Sequence, residues 1–216
     1  MGLTPYGRPV IYSMTALSAA IALAVLALHG GWWTLVALVP FLFTLYFFRD
    51  PERTVPDGKV IVSAADGHVT AVEEVEEKEF IGGRAKRVSV FLSIFDVHLN
   101  RAPVGGKVEH VKHYDGKFLN AMKARSAVEN ERNFVGLSTD IGKVLVVQIA
   151  GAIARRIRCA VQPGDVLNKG QRFGMIMFGS RTDLYLPPDA VDIRVKVGDA
   201  VRAGKTIIAE VRDAKN

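Results

Sequence analysis

Cysteine is nearly absent from this chain. Cys159 is the single one among 216 residues, which excludes an internal disulfide framework and a zinc site built on thiolates. Cys159 itself reads as a small core residue. Other familiar devices are missing too. There is no Gly-x-Ser-x-Gly elbow, no P-loop, and no Gly-x-Gly-x-x-Gly following a strand. The five histidines, His29, His68, His98, His110 and His113, include no pair at the His-x3-His spacing that puts two imidazoles on one helix face. No metal is therefore expected. Basic residues exceed acidic ones by 28 to 22, a net charge of +6 that favours anionic partners. Arg155, Arg156 and Arg158 alternate with apolar neighbours instead of clustering with stacking aromatics, so no nucleic-acid partner is expected.

Charge is absent altogether from positions 9–48. That stretch holds two apolar runs, Val10–Leu28 and Trp32–Phe48, parted by His29-Gly30-Gly31. As helices each is roughly 25–28 Å long, close to the hydrocarbon thickness of a bilayer. Trp32, Trp33 and Tyr46 stand near the run boundaries, where amphipathic aromatics settle. Arg8 precedes the pair, Arg49, Arg53 and Lys59 follow it, and the turn has no Lys or Arg. The bias of positive residues puts both ends in the cytoplasm. A membrane-anchoring hairpin over 1–50 is the reading these features favour. A cleaved signal peptide accounts for the first run but not the second, and a hairpin buried in a soluble core is the other alternative.

Arg49-Asp50-Pro51-Glu52-Arg53 marks a domain boundary, and 51–216 reads as one β-rich domain. Short β-branched or aromatic segments recur at Val60–Val62, Val69–Val72, Arg87–Leu92, Val144–Ile149, Ile153–Cys159, Phe173–Phe178, Ile193–Val197 and Thr206–Val211. Leu119 to Arg132 reads as loop or short helix. Gly164-Asp165-Val166-Leu167-Asn168-Lys169-Gly170 is echoed by Gly198-Asp199-Ala200-Val201-Arg202-Ala203-Gly204, each with a Gly-Asp turn and an apolar run behind it. The echo fits a mainly β fold of barrel-sandwich type behind the transmembrane helical hairpin. Lipoyl and biotinyl carriers have such a barrel, and Ala121-Met122-Lys123 partly matches a biotin-carrier motif. A membrane adaptor or carrier protein without catalysis is thus the alternative function, although a solvated surface lysine is the plainer account of Lys123.

Phe178-Gly179-Ser180 permits a specific chemistry at what is otherwise an ordinary turn. If the turn strains the Gly179–Ser180 peptide, the Ser180 hydroxyl can attack the Gly179 carbonyl and convert the amide to an ester. Glycine leaves that carbonyl unshielded. Elimination of the ester leaves dehydroalanine, and hydrolysis leaves a pyruvoyl cap on the new amino terminus. Such a ketone condenses with a substrate amine and accepts the electrons of a departing carboxylate.

The order and spacing of several segments carry a resemblance over nearly the whole chain. They are Phe48-Arg49-Asp50-Pro51, Ser63-Ala64-Ala65-Asp66-Gly67, Phe91-Leu92-Ser93-Ile94-Phe95-Asp96-Val97-His98-Leu99-Asn100-Arg101-Ala102-Pro103, Glu129-Asn130-Glu131-Arg132 and Phe178-Gly179-Ser180. In these the chain resembles the phosphatidylserine decarboxylase proenzymes, specifically their short bacterial and archaeal branch. The resemblance implies self-cleavage between Gly179 and Ser180, a covalent pyruvoyl group derived from Ser180, and decarboxylation of phosphatidylserine to phosphatidylethanolamine. It implies a catalytic role for Asp66, through the family's Asp-Gly motif, and for His98, the first histidine of a His-x-x-His-x-Pro motif. The chain departs from the long members at Arg101, which replaces the second histidine, their proposed base for cleavage. His98, His68 or Asp66 remain as bases. The implied partners are an anionic phospholipid, the cytoplasmic face of the cell membrane and the two chains left by the cut; a homo-oligomer is compatible with all of this.

Overall fold

The computed structural model describes residues 2–29, 31, 34–119, 125–152, 156–177 and 179–212. They fall into two compact units, Met1–Glu52 and Arg53–Asn216.

The first unit is a helical hairpin closed by a short ladder. Strand β1 (Gly2–Leu3) pairs with β2 (Arg49–Asp50). A 3-10 turn at Pro5–Gly7, capped by the Thr4 hydroxyl, leads into α1 (Arg8–His29) and then α2 (Thr34–Phe47). Gly7 is small because the Phe48 ring lies over it; a Cβ there would meet a ring carbon at 2.1 Å. Small residues of α1, Thr15, Ser18, Ala19 and Ala22, face Leu38 and Phe41 of α2, as suits close helix approach in lipid. Pro5–Leu28 is long and apolar enough to cross a bilayer, and only 11% of its most apolar window is buried within the protein. A helix belonging to a soluble core would be mostly covered. The second helix, as described, runs 14 residues and reaches about 21 Å, short of the roughly 30 Å hydrocarbon layer. Trp32 and Trp33 lie outside the described residues.

The second unit is almost entirely β. Its strands are β3 (Val60–Val62), β4 (Gly67–Glu77), β5 (Gly83–Leu92), β6 (Leu99–Arg101), β7 (Gly106–Tyr114), β8 (Arg132–Thr139) and β9 (Gly142–Ile149). There follow β10 (Ile157–Cys159), β11 (Val166–Leu167), β12 (Arg172–Ile176), β13 (Ser180–Leu186), β14 (Val191–Ile193), β15 (Ala200–Val201) and β16 (Ile207–Val211). A four-residue helix, α3 (Ser126–Glu129), lies in the stretch expected to be loop or short helix. Eight strands form one curled sheet in the order β11-β7-β8-β9-β13-β5-β4-β15, and two smaller sheets run β10-β12-β6 and β14-β16-β3.

That order is a palindrome of two related halves, and the hydrogen bonds repeat with it. Val69 exchanges backbone bonds with Asp199 and Gly198 as Val108 does with Asp165 and Gly164. Ser63 does so with Thr206 and Gly204 as Ala102 does with Gln171 and Gly170. Reciprocal bonds cross the pseudo-two-fold axis: Val62 N–H to Pro103 C=O and Arg101 N–H to Ala64 C=O. In each Gly-Asp turn the aspartate caps the amide three residues before it, Asp165 to Gln162 and Asp199 to Lys196. The echo in the sequence is thus the visible part of a larger duplication.

The halves are nested. One runs without interruption from β6 to β12. The other starts with β3-β4-β5, is interrupted by that entire half, and resumes with β13 to β16. Where the uninterrupted half joins β8 to β9 by a tight hairpin at Thr139–Gly142, its counterpart has the chain leave after Leu92 and return at Ser180. Those two residues are cross-strand partners.

Several expected strands change in the structure. The segment foreseen at Ile193–Val197 is strand only at Val191–Ile193, since the Gly198 turn begins at Val197. Six strands of this unit were not expected: β6, β7, β8, β13 and the two-residue β11 and β15. Ser180 therefore does not end in a polar exit but opens a central, buried strand.

Candidate active site

The return point places the Gly179–Ser180 peptide. Strand β13 lies between β5 and β9, with Arg181 opposite both Phe91 and Ile149. Alternation along the strand sends Ser180, Thr182 and Leu184 to the main core, among Val90, Leu92, Val146 and Val135. Arg181, Asp183 and Tyr185 go to the other face, under Phe80 and beside Leu145 and Val147.

Gly179 has φ +63°, a left-handed conformation that costs an L side chain about 1–2 kcal/mol. Space is not the reason for glycine here, because a Cβ would find nothing nearer than Ile94 Cγ2 at 3.9 Å. The constraint is the backbone itself. Ser180 is 0% exposed, and its Oγ has no hydrogen-bond partner among the described residues. Burying a hydroxyl unpaired costs about 1–3 kcal/mol, so such an orphan calls for an account. Among the described residues the hydroxyl is thus left without a partner next to the Gly179–Ser180 peptide.

His98 is brought to this bond by the exit from β5. The chain turns at Ser93–Asp96, where the Asp96 carboxylate accepts from Ser93 N–H at 2.8 Å and Asp96 N–H donates to Ser93 C=O. His98 follows, fully buried. Gly179 N–H donates to His98 Nε2 at 3.2 Å, and His98 Nδ1 lies 2.9 Å from the Asp96 carbonyl. An amide nitrogen can only donate, so Nε2 presents its lone pair and Nδ1 carries the proton. A neutral imidazole with a free-base nitrogen thus touches the residue that precedes Ser180. Phe95, at the tip of the turn, is 62% exposed and belongs to the surface around the site rather than to the core.

The other expected site residues lie farther off. Asp66 is held by Arg53 in a two-pronged ion pair, both bonds 2.6 Å, and its Oδ1 also accepts from Ala203 N–H at 2.9 Å. These are its described hydrogen bonds, and none goes to His98 or Ser180. Gly67, next in sequence, packs against Phe91 C=O on the side of β5 away from Ser180. Arg53 begins a strap over the barrel: Val55 covers Gly170, and Gly58 C=O accepts from Lys169 Nζ. Arg101 is buried with its guanidinium on Gly170 C=O at 3.1 Å, and a permanently charged donor cannot act as a base. His68 is exposed and shares a face with Phe91 and Arg181, opposite to that of Ser180. Phe178 and Lys123 lie outside the described residues.

A chain of buried amides, not expected from the sequence, runs beside the site. Asn133 Nδ2 donates to Gln148 Oε1, Gln148 Nε2 to Asn100 Oδ1, and Asn100 Nδ2 to Thr182 Oγ1, at 2.9, 2.9 and 3.0 Å. All four side chains are essentially shielded from solvent. The signal available was Gln148, a lone amide in the apolar run Val144–Ile149. On the outer face Arg181 grips Asp183 and also donates to Ser89 Oγ. The large groove lined by Lys59, Lys107, Lys169 and Thr139 opens at the far end of the sheet and is not part of this arrangement.

The family model described as phosphatidylserine decarboxylase matches residues 41–209. The chain is 49% identical over 197 residues to a phosphatidylserine decarboxylase proenzyme of Carboxydothermus hydrogenoformans, covering 89% of this chain and 92% of that one. It is 50% identical over 210 residues to the proenzyme of Symbiobacterium thermophilum, covering 94% and 97%. With the proenzyme of Desulfotalea psychrophila the identity is 47% over 180 residues, covering 82% and 84%.

Proposed function

The chain belongs to the phosphatidylserine decarboxylase family, and from that premise we propose that it is a proenzyme cutting itself between Gly179 and Ser180 and then decarboxylating phosphatidylserine to phosphatidylethanolamine. The observation that carries this reading is the buried Ser180 Oγ, without a partner among the described residues, next to a left-handed Gly179 whose amide rests on His98. An adaptor or carrier role without catalysis has no use for such an arrangement.

In the cut, Ser180 Oγ bonds to the Gly179 carbonyl carbon and the acyl group leaves nitrogen for oxygen. Loss of the Ser180 α-proton then breaks the Cβ–O bond, and Gly179 departs as a carboxylate. The remaining dehydroalanine takes up one water and releases ammonia, leaving the pyruvoyl group. His98 Nε2 is the base at hand for the hydroxyl proton. Its lone pair is held by Gly179 N–H in the precursor, so that contact loosens as the hydroxyl is engaged, and a base must come within about 3 Å of its proton. Once Gly179 is a free chain end, Nε2 is released to move protons in the second reaction. The site fits the pyruvoyl group, since the carbon that would bear it starts a strand pinned on both sides. When formed, the group supplies the electron sink for the departing carboxylate. Asp66 acts at one remove, by fixing the segment 63–67 through Arg53 and Ala203.

The apolar α1, flanked by Arg8 and followed by Arg49, supports anchoring at the cytoplasmic face of the cell membrane, where an anionic lipid meets a basic domain. Mass spectrometry of purified protein tests the whole reading. Fragments of about 19 and 4 kDa are expected, in proportion to their shares of the 23.5 kDa chain, with a keto-acid cap on the smaller. Ser180→Ala should stay one chain. An intact, active wild type with serine at 180 would sink the proposal.

A further inference from the structure

Asn100 stands at the meeting point of three chain segments. One Nδ2 proton goes to Thr182 Oγ1 at 3.0 Å, the other is directed at Ala64 C=O at 3.4 Å, and Oδ1 accepts from Gln148 Nε2 at 2.9 Å. Both donors and one oxygen lone pair of the amide are used, which fixes both its rotamer and its flip. Gln148 is fixed in turn by Asn133 Nδ2. Room for it depends on Gly174, where a Cβ would come within 2.9 Å of Gln148 Nε2. Asn100 follows His98 by two residues, and Thr182 follows Ser180 by two. The same bond that joins β6 to β13 therefore lies one alternation step from the imidazole and one from the nucleophile. The contact with Ala64 ties in the segment that ends in Asp66 and Gly67.

A fully apolar core could have filled this space. In some proteins buried polar groups serve to fix a geometry, and here the parts they fix are those that must react. A displacement of 1 Å at a reacting pair can cost about a hundredfold in rate.

We propose that Asn100, backed by Gln148 and received by Thr182, is a positioning residue that holds His98 in register with Ser180 for self-cleavage and keeps it there for decarboxylation. This rests on the reading of Ser180 as the processed residue. The inference concerns geometry, so removing the clasp should slow the cut in a chain that is still folded.

The experiment uses the full-length chain made by cell-free translation into lipid vesicles, followed by gel for the cut and by limited proteolysis for the fold. Thr182→Val keeps the shape and removes the acceptor. It is expected to cut at least tenfold more slowly while its precursor resists protease, and Thr182→Ser should return the rate to within about twofold of wild type. In the fraction that matures, kcat should fall in Thr182→Val with KM unchanged. A protease-resistant Thr182→Val chain cutting at the normal rate, or a Thr182→Ser chain as slow as Thr182→Val, overturns the proposal. If Thr182→Val is protease-sensitive, Gln148→Met takes its place under the same criteria, and collapse of both would assign the amides to stability alone and equally overturn it. An uncut wild type would instead refute the self-processing reading.

Discussion

On the outer face of β13, Tyr185 is mostly buried beside Arg87 and near Asp183. Burial, reinforced by the Asp183 carboxylate, pushes its phenol above the ordinary tyrosine value against the pull of Arg87. A folded-state pKa above the unfolded one means the native chain holds the proton longer. The resulting stability is intact below the ordinary value of about 10 and drains away as pH rises toward the elevated one. Denaturant midpoints measured between neutral and strongly alkaline pH should therefore fall above about pH 10, and Tyr185→Phe should flatten that fall. In the sequence Gly179 and Ser180 stood out for the chemistry their pairing permits, and His98 through the family resemblance. The sequence could not show that Ser180 Oγ has no partner among the described residues, that Gly179 is left-handed, or that the imidazole lone pair rests on Gly179 N–H. Those depend on which distant strands arrive at the same place. Cys159, read as core, is only half-buried, within bonding reach of Val161 C=O.

Strands were readable where one face is plainly apolar and hidden where it is not. Strand β7 buries only Val108 fully, and its remaining charged residues mask the alternation. Strand β8 contains Gly136, which must be small because Phe80 lies on it with ring atoms 2.8 Å from a would-be Cβ. Strand β13 hides more thoroughly: Arg181, Thr182 and Asp183 look like surface, yet all are buried because Arg181 and Asp183 neutralise each other and Thr182 is met by Asn100. The Arg53–Asp66 pair makes a prediction at this scale. Each side chain is about nine-tenths covered, and removing one partner of a buried pair costs about 3–5 kcal/mol. Arg53→Ala and Asp66→Ala should lower the unfolding midpoint alike and slow the cut alike, as expected of a latch. A much larger effect on cutting from Asp66→Ala, at equal loss of stability, would restore it to a direct chemical role. Gly67→Ala should fail more severely, since φ is +139° and the added carbon would lie 1.9 Å from Phe91 C=O; no soluble, protease-resistant product is expected.

At the level of the whole molecule, the repeated Gly-Asp turns disclosed a duplication but not its nesting. Local spacing records neighbours in sequence, whereas the nesting is a matter of where the chain exits and returns. That topology explains why His98 and Gly179 meet at all: the exit after Leu92 and the return at Ser180 have to adjoin, because those residues pair. It has a further consequence for the proposed cut, which would sever the backbone before Ser180. The released piece begins with β13, which is registered along seven residues with β5 and five with β9, so it remains woven through the larger one with no covalent tie. Before the cut, folding is a first-order event. Afterwards, recovery from denaturation requires two molecules to find each other, and its half-time should shorten as protein concentration rises, whereas Ser180→Ala should recover at a rate indifferent to dilution. Dilution after unfolding would then be enough to trap the enzyme in pieces, making persistence of the native state a matter of how slowly it opens.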